Sequence, residues 1–250
     1  MTYVKHTSCP SCKSRDNLAV YADHAYCFGC GYIEFYNYHN RRIDGVKDTG
    51  TKIVSLPEDI VPTIPAVADS WIKKYDLTLR ELYDNRVVWS DFRKLLIFPY
   101  FDDKGHLWGW QGRYFGDDPK HPKWTGKGNF KEQVKIHTPL TGFQKDGIIL
   151  IEEDIISTIK TSRLYNSTCI YGSYIDINKY CYIYKEYKPS KFCIWLDKDK
   201  ELEARLFSLQ FNKLGIPSFV ISTDLDPKEY STEEIRRIVE SKATDTTSTP

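Results

Sequence analysis

From Gly147 onward, apolar runs and amphipathic segments alternate. GIILIEED (147–154) and KFCIWLD (191–197) are unbroken apolar runs that end in acids, the pattern of strands buried on both faces. STCIYG and PSFVIS are shorter runs of the same kind. The segments between them, ISTIKTSRLY, NKYCYIYKEY and ELEARLFSLQFNKLG, read as helices, the last closed by Gly215. Ser231 with Glu234 three residues on predicts a capping box that opens a final helix, EEIRRIVES. Strands separated by helices of this length imply a parallel sheet, and chemistry in such sheets sits at the carboxyl ends of the strands.

The stretch before this is patterned differently. Asp69 and Thr78, the latter with Glu81 three residues on, are N-cap candidates for two short helices, WIKKY and LRELYDN. RVVW, KLLIFPYF and HLWGWQGRYF read as strands, the last two joined by a turn at Asp102-Asp103-Lys104-Gly105. GDDPKHPKWTGKGNFKEQVK reads as a loop. The fold class expected is α/β, α+β overall. Its parts are a cysteine ribbon at 1–36, a polar linker at 37–66, a mixed α+β basic segment at 67–145, a parallel-sheet domain at 146–240 and a disordered tail at 241–250.

Composition adds little to the pattern. The 250 residues carry a formal charge of +1, so any nucleic-acid partner must meet charge confined to one face. No apolar run reaches the roughly 20 residues that span a bilayer, and MTYVKHTSCPSC lacks an apolar signal core. A cytoplasmic, non-membrane protein is expected, with its seven cysteines reduced.

Four of those cysteines form two Cys-x2-Cys knuckles, Cys9/Cys12 and Cys27/Cys30. That spacing suits one tetrahedral zinc ion, with Pro10, Gly29 and Gly31 easing the turns. A segment of this size builds too small a core to fold unaided, so the metal would supply the folding energy. The ribbon is either a staple or a reader of nucleic acid through His24, Tyr26, Lys13, Arg15 and Asp16. Cys169, Cys181 and Cys193 lie in regular elements and read as small core residues.

The two long apolar runs end in Glu152-Glu153-Asp154 and Asp197-Lys198-Asp199. If the strands are neighbours, Glu153, Asp197 and Asp199 converge, and three carboxylates in proximity call for a cation. Hard oxygen donors suit Mg2+ or Mn2+. Solvated strand-end charge is the plainer alternative at this point.

LIEEDIISTIKTSRL followed by CIWLDKDKELEARLFSLQF resembles the TOPRIM domain of DNA primases, in which a glutamate ends the first strand and an Asp-x-Asp pair ends a later one. A leading four-cysteine ribbon, a basic segment and a TOPRIM unit occur in that order in bacterial-type and phage-type primases, and the likeness is to the primase half of phage primase-helicases. It extends from Cys9 to about Glu240. The usual Glu-Gly-x-x-Asp stands here as Glu153-Asp154-Ile155-Ile156-Ser157, and Lys200-Glu201 follows Asp-x-Asp in place of the frequent Gly. The resemblance implies a two-metal nucleotidyl transfer, with Glu153, Asp197 and Asp199 catalytic and binding magnesium. Asp226, in Asp226-Pro227-Lys228, would be a further ligand.

Between Trp71 and Lys145 there are 14 Lys and Arg against 9 Asp and Glu. Lys120, Lys123, Lys127, Lys131 and Lys135 are interleaved with Trp124 and Phe130, a composition that grips phosphates and stacks bases. WGWQGRYFGDDPKHPKWTGKG resembles the primase element that contacts template or nucleotide, which implies that role for Arg113 and Lys123, then Gln111 and Lys127. Single-stranded DNA and ribonucleoside triphosphates are the implied ligands. With no Gly-x4-Gly-Lys-Ser/Thr motif in the sequence, a separate replicative helicase and DNA polymerase are the implied partners. A zinc-bearing TOPRIM recombination mediator and a TOPRIM nuclease are the alternatives.

Overall fold

A computed structural model describes residues 3–21, 24–30, 32–35, 54–102, 105–128, 130, 134–171 and 175–245. They fall into two compact units divided between Lys52 and Ile53. The expected linker as far as residue 53, Gly31, Lys131, the side chains of His24 and Tyr26, the Asp103-Lys104 turn and the tail from 246 lie outside the described residues.

The first unit is an antiparallel meander of β1 (Tyr3–Thr7), β2 (Leu18–Tyr21), β3 (His24–Cys27) and β4 (Ile33–Phe35), in that spatial order. Its buried core is Cys9, Leu18, Ala25 and Cys27, with Val20 and Tyr32 partly covered. Two of those four core residues are cysteines, so the unit has little apolar area of its own to hold it folded.

The second unit contains two sheets. In the antiparallel one, β5 (Ile60–Val61), β6 (Val88–Ser90), β7 (Leu95–Phe101), β8 (Leu107–Tyr114) and β9 (Trp124–Gly128) lie in chain order. Alternation along β7 divides its residues between two cores. Leu96, Phe98 and Tyr100 face Ile155, Ile156 and Ile159, while Leu95 and Ile97 pack with Trp110, Val54, Leu56 and Ile60. Two expectations are corrected here. Residues 54–65, polar and proline-rich enough to suggest a linker, supply β5 and an apolar cover for the sheet. Trp124–Gly128, expected in a loop, forms the edge strand β9. The glycines there permit a close backbone approach: a Cβ on Gly128 would come within 2.5 Å of the Gly109 Cα.

Helices α1 (Ala66–Lys74) and α2 (Leu79–Asp84) precede β6. Thr78 and Glu81 form the expected capping box on α2. Helix α1 starts earlier than expected, with Pro65 at its N-cap; Asp69 lies in its first turn and pairs with Lys73 at 2.6 Å.

The second sheet is parallel, in the order β11 (Asn166–Cys169), β10 (Ile148–Glu152), β12 (Lys191–Trp195), β13 (Ser218–Val220). Ile149, Ile151, Phe192 and Ile194 pack on α4 (Ile177–Tyr187) and α5 (Glu201–Lys213). Leu150, Cys193, Trp195 and Phe219 pack on α6 (Thr232–Asp245), which runs four residues past its expected end at Ser241. Helix α3 (Ile155–Thr161) joins β10 to β11 and links the two sheets of the second unit, since its isoleucines belong to the core of the antiparallel sheet. Cys169 and Cys193 are buried among these core residues, and Cys181 is half-buried. No described helix is long and apolar enough to cross a membrane.

Candidate functional site

In the first unit, each knuckle follows a strand. Cys9 and Cys12 flank the turn after β1, where Lys13 takes the left-handed backbone conformation (φ 61°) that lets its amide reach the Cys9 carbonyl at 3.0 Å. Cys27 ends β3, and Gly29 lets the second turn lie against Asn17, whose Nδ2 a Cβ would meet at 2.8 Å. The four Sγ atoms lie within 4.8 Å of one another, and Cys9–Cys30 and Cys12–Cys27 are both 3.7 Å apart. A metal–sulfur distance of about 2.3 Å requires tetrahedral edges of about 3.8 Å, so four thiolates so placed fit a closed four-sulfur metal site. The Ser14 hydroxyl beside Cys12 pulls that thiol down to about 6, whereas burial pushes Cys9 up to about 11. Lys13, Arg15 and Asp16 are exposed on this unit.

In the second unit, β10 and β12 are in-register neighbours, Glu152 opposite Trp195, so the residues that follow them emerge side by side. Alternation separates the two glutamates. Glu152 turns inward, accepting from Thr161 at 2.6 Å and Thr158 at 3.3 Å, and burial pushes its carboxyl up to about 8. Glu153 turns toward the strand-end edge, where burial raises its pKa, opposed by the Lys200 charge. Asp154 caps α3, accepting from the amides of Ile156 and Ser157 at 2.8 and 3.1 Å and from the Ser157 hydroxyl at 2.9 Å.

Asp197 opens a 3-10 turn, Lys198–Lys200, and burial pushes its carboxyl up to about 7, with Asp154, Asp226 and Glu153 adding to the rise and Lys228 opposing it. Asp199 is exposed and close enough to raise the Glu153 pKa. Asp226 precedes a second 3-10 turn, Pro227–Glu229. Lys228 on that turn was not singled out from the sequence, yet its Nζ lies 2.7 Å from Asp226, 3.0 Å from Asp154 and 3.5 Å from Asp197. Glu153 Oε2 and Asp197 Oδ1 are buried without a hydrogen-bond partner. These orphaned oxygens are hard donors at one edge and fit a divalent cation.

The basic residues divide between the two faces of the antiparallel sheet. Arg113 pairs with Leu96 and Trp124, and Gln111 with Phe98 and Gly126, so both are on the face toward α3. The Arg113 guanidinium lies 5.6 Å from the Trp71 ring and 5.9 Å from the Trp124 ring, and its Nε is buried without a partner. Gln111 accepts from the Tyr100 hydroxyl at 2.8 Å. Lys127 pairs with Trp110 and is therefore on the opposite, outer face, where a cavity of about 290 Å³ is lined by Arg93, Lys94, Trp110, Tyr114 and His121. Lys123 is exposed just before β9, its carbonyl accepting from the Tyr114 amide at 3.0 Å.

No protein-family model matches the sequence, and no curated protein does. Solved structures do match. The zinc-binding and RNA polymerase domains of the Aquifex aeolicus primase superpose with a TM-score of 0.56 at 15% identity, over 96% of this chain and 80% of that one. The fold is that of a primase. A DnaG primase catalytic domain bound to single-stranded DNA gives 0.54 at 13% identity, over 70% of this chain and 71% of that one. The primase fragment of the bacteriophage T7 primase-helicase gives 0.50 at 14%, over 97% and 100%.

Within this primase fold, the structure brings Glu153, Asp197 and Asp226 to one edge around Lys228, with Asp199 beside them. It does not gather the four basic residues: Arg113 and Gln111 belong to the inner face, Lys127 to the outer face and Lys123 to the exposed position just before β9. Among the described residues, the four cysteines alone bring three or more ligand atoms within 4.8 Å of one another.

Proposed function

We propose that this chain is a DNA primase, a DNA-directed RNA polymerase that makes short RNA primers on a single-stranded DNA template from ribonucleoside triphosphates. The observation that carries the reading is the adjacency of β10 and β12, which sets Glu153 beside Asp197 with one unpartnered, buried oxygen on each. Glu153, Asp197 and Asp199 would hold Mg2+ or Mn2+, with Asp226 behind them; the bound ion would polarise the triphosphate and assist loss of the 3′-hydroxyl proton.

The protein's own contribution is position and charge. Arg113, fixed over Trp71 and Trp124 with Nε unpaired, presents a guanidinium to triphosphate or template. Gln111 is oriented by Tyr100 for a polar contact on the same face. Lys123 and Lys127 attract the strand through its phosphates. The ribbon, holding zinc through Cys9, Cys12, Cys27 and Cys30, selects where synthesis starts. A separate helicase and DNA polymerase complete the assembly, in the host cytoplasm if the protein is phage-encoded.

The test is synthesis itself. Zinc-loaded protein, single-stranded DNA, Mg2+ and labelled ribonucleotides should yield short RNA chains. A chain that binds or cleaves DNA without incorporating ribonucleotide is a mediator or a nuclease instead.

A further inference from the structure

The ammonium of Lys228 lies within ion-pair distance of three carboxylates from three segments: Asp226 at 2.7 Å, Asp154 at 3.0 Å and Asp197 at 3.5 Å. Its side chain is only 17% exposed. A lysine so enclosed loses rotamer freedom and hydration, and only close opposite charges offset that loss. The chain also fixes its base. The Lys228 carbonyl accepts from Lys160 Nζ at 2.9 Å, the preceding Pro227 is buried, and a capping box between Asp226 and Glu229 closes the turn. Asp154 is immobile in turn, held at the N-cap of α3 by two amides and the Ser157 hydroxyl. The ammonium is thus held at the centre of an oxygen cage, the position that a metal ion takes in a carboxylate site.

Two buried oxygens of the centre are left over. Glu153 Oε2 and Asp197 Oδ1 have no hydrogen-bond partner, and Asp199 is beside Glu153. A divalent ion on the Asp226 side would lie against the ammonium, and like charges at such distances repel strongly at any protein dielectric.

We propose that Lys228 is a resident cation of the acidic centre, standing in for one of two divalent ions, so that a single divalent position remains on the Glu153 side of Asp197. This rests on the reading of the centre as a Mg2+ or Mn2+ site. Asp226 and Asp154 then serve as positioning residues for the lysine, and Asp197 is shared between the lysine and the metal. A fixed ammonium neutralises charge permanently, so part of the cage stays intact when no divalent ion is bound.

The experiment is Mn2+ binding to the zinc-loaded full chain, followed by electron paramagnetic resonance without DNA or nucleotide, for wild type, Lys228→Met and Lys228→Arg. Wild type and Lys228→Arg should each bind one Mn2+. Lys228→Met should bind a second, or bind the first roughly tenfold more tightly. Thermal midpoints in buffer without Mg2+ or Mn2+ give a second readout: Lys228→Met should melt below wild type, and added Mg2+ should raise it more than it raises wild type. Two Mn2+ ions on wild type overturn the proposal. So does a Lys228→Met protein with unchanged Mn2+ binding and an unchanged midpoint. If no variant binds Mn2+, the metal reading falls and the proposal with it. If Mn2+ binds as described but no primer is made, only the primase reading falls.

Discussion

Arg163 and Glu81 meet in a two-pronged pair, Nε to Oε1 at 2.6 Å and Nη2 to Oε2 at 3.0 Å, across 82 residues of sequence. Arg163 follows α3, and Glu81 is the residue that completes the α2 capping box through the Thr78 amide. The same guanidinium reaches Asp76 at 3.0 Å and the Thr232 hydroxyl at 3.1 Å. One side chain therefore ties α2 to α3, the helix that Asp154 caps, and to the start of α6.

Arg163→Leu should cost about 2–4 kcal/mol, because it leaves Glu81 mostly buried without its partner. Burial alone would raise the Glu81 pKa, but Arg163 and the Thr78 hydrogen bonds outweigh it and hold it below the usual range. A depressed carboxyl adds stability above its unfolded pKa, about 4.3, and loses it as pH falls through the lower folded value. Urea midpoints should therefore separate wild type from Arg163→Leu at pH 7 and converge below about pH 4. A constant gap across that range would assign the loss to packing.

The ribbon should depend on metal for its fold. Its core is two cysteines, one leucine and one alanine, with Val20 and Tyr32 at its edge. Cys27→Ser should reduce bound zinc from one equivalent to well under half, measured by elemental analysis. The amide-exchange protection of β1 to β4 should collapse while that of β10 and β12 persists. Full retention of ribbon protection without metal would show that its apolar contacts suffice.

Lys179 makes the opposite case to Arg163. It is enclosed by Tyr171 and Tyr180 and donates to the Phe130 carbonyl at 3.2 Å, and burial lowers its pKa to about 8. A lysine whose folded pKa is depressed is a liability below that value, since both states are charged and only the folded one is desolvated. Lys179→Met should stabilise by about 1–2 kcal/mol at pH 7, after the lost hydrogen bond is allowed for. The advantage should shrink between about pH 8 and pH 10.4, where the folded lysine is neutral and the unfolded one still charged. A variant less stable than wild type at pH 7 would show that the ring contacts outweigh burial.

The two glutamates at the end of β10 separate a buried carboxyl, Glu152, from Glu153, the one proposed to hold the metal. Glu152→Gln keeps a partner for Thr161 and should leave primer synthesis within a few-fold of wild type. Asp197→Asn and Asp199→Asn should keep the fold and reduce synthesis by more than about a hundredfold, since each removes a charge assigned to the metal. Circular dichroism alongside the primer assay checks both parts. Wild-type rates in both aspartate variants would move the catalytic centre elsewhere.

What the sequence made legible was local. The capping boxes at Thr78 and Ser231 are each written within four residues, and both are present. The runs that became β10 and β12 announced themselves as doubly buried strands, and the cysteine spacing described its own geometry. Contacts across long separations were not legible: Lys228 meets Asp154 over 74 residues and Arg163 meets Glu81 over 82. Residues 54–65 were misread for a related reason. Their few apolar side chains, Val54, Leu56 and Ile60, matter only because Leu95, Ile97 and Trp110 present a face for them to cover. The division of the basic residues between two sheet faces depends on β9 being a strand, and its two glycines and Lys127 have low strand propensity.

That division sets the final prediction. Arg113 is on the inner face with its guanidinium 5.6 Å from the Trp71 ring and 5.9 Å from the Trp124 ring, whereas Lys127 is exposed on the outer face opposite Trp110. An exposed lysine contributes mainly by releasing counterions, so Lys127→Ala should flatten the log–log salt dependence of single-strand binding by about one unit and leave the Michaelis constant for ribonucleotides unchanged. Arg113→Ala should instead impair ribonucleotide use, and Arg113→Lys should not restore it, because an ammonium cannot reproduce the planar, forked donor set of a guanidinium. Fluorescence anisotropy across a salt series, with and without the first two ribonucleotides and Mg2+, reads both effects. Wild type should hold its template more tightly when all three components are present, since nucleotide, metal and strand would share one charged site. Lys127→Ala should keep that gain, and Arg113→Ala should lose it. If Arg113→Ala keeps the gain and Lys127→Ala abolishes it, the nucleotide site belongs on the outer face, at the cavity beside Tyr114 and His121.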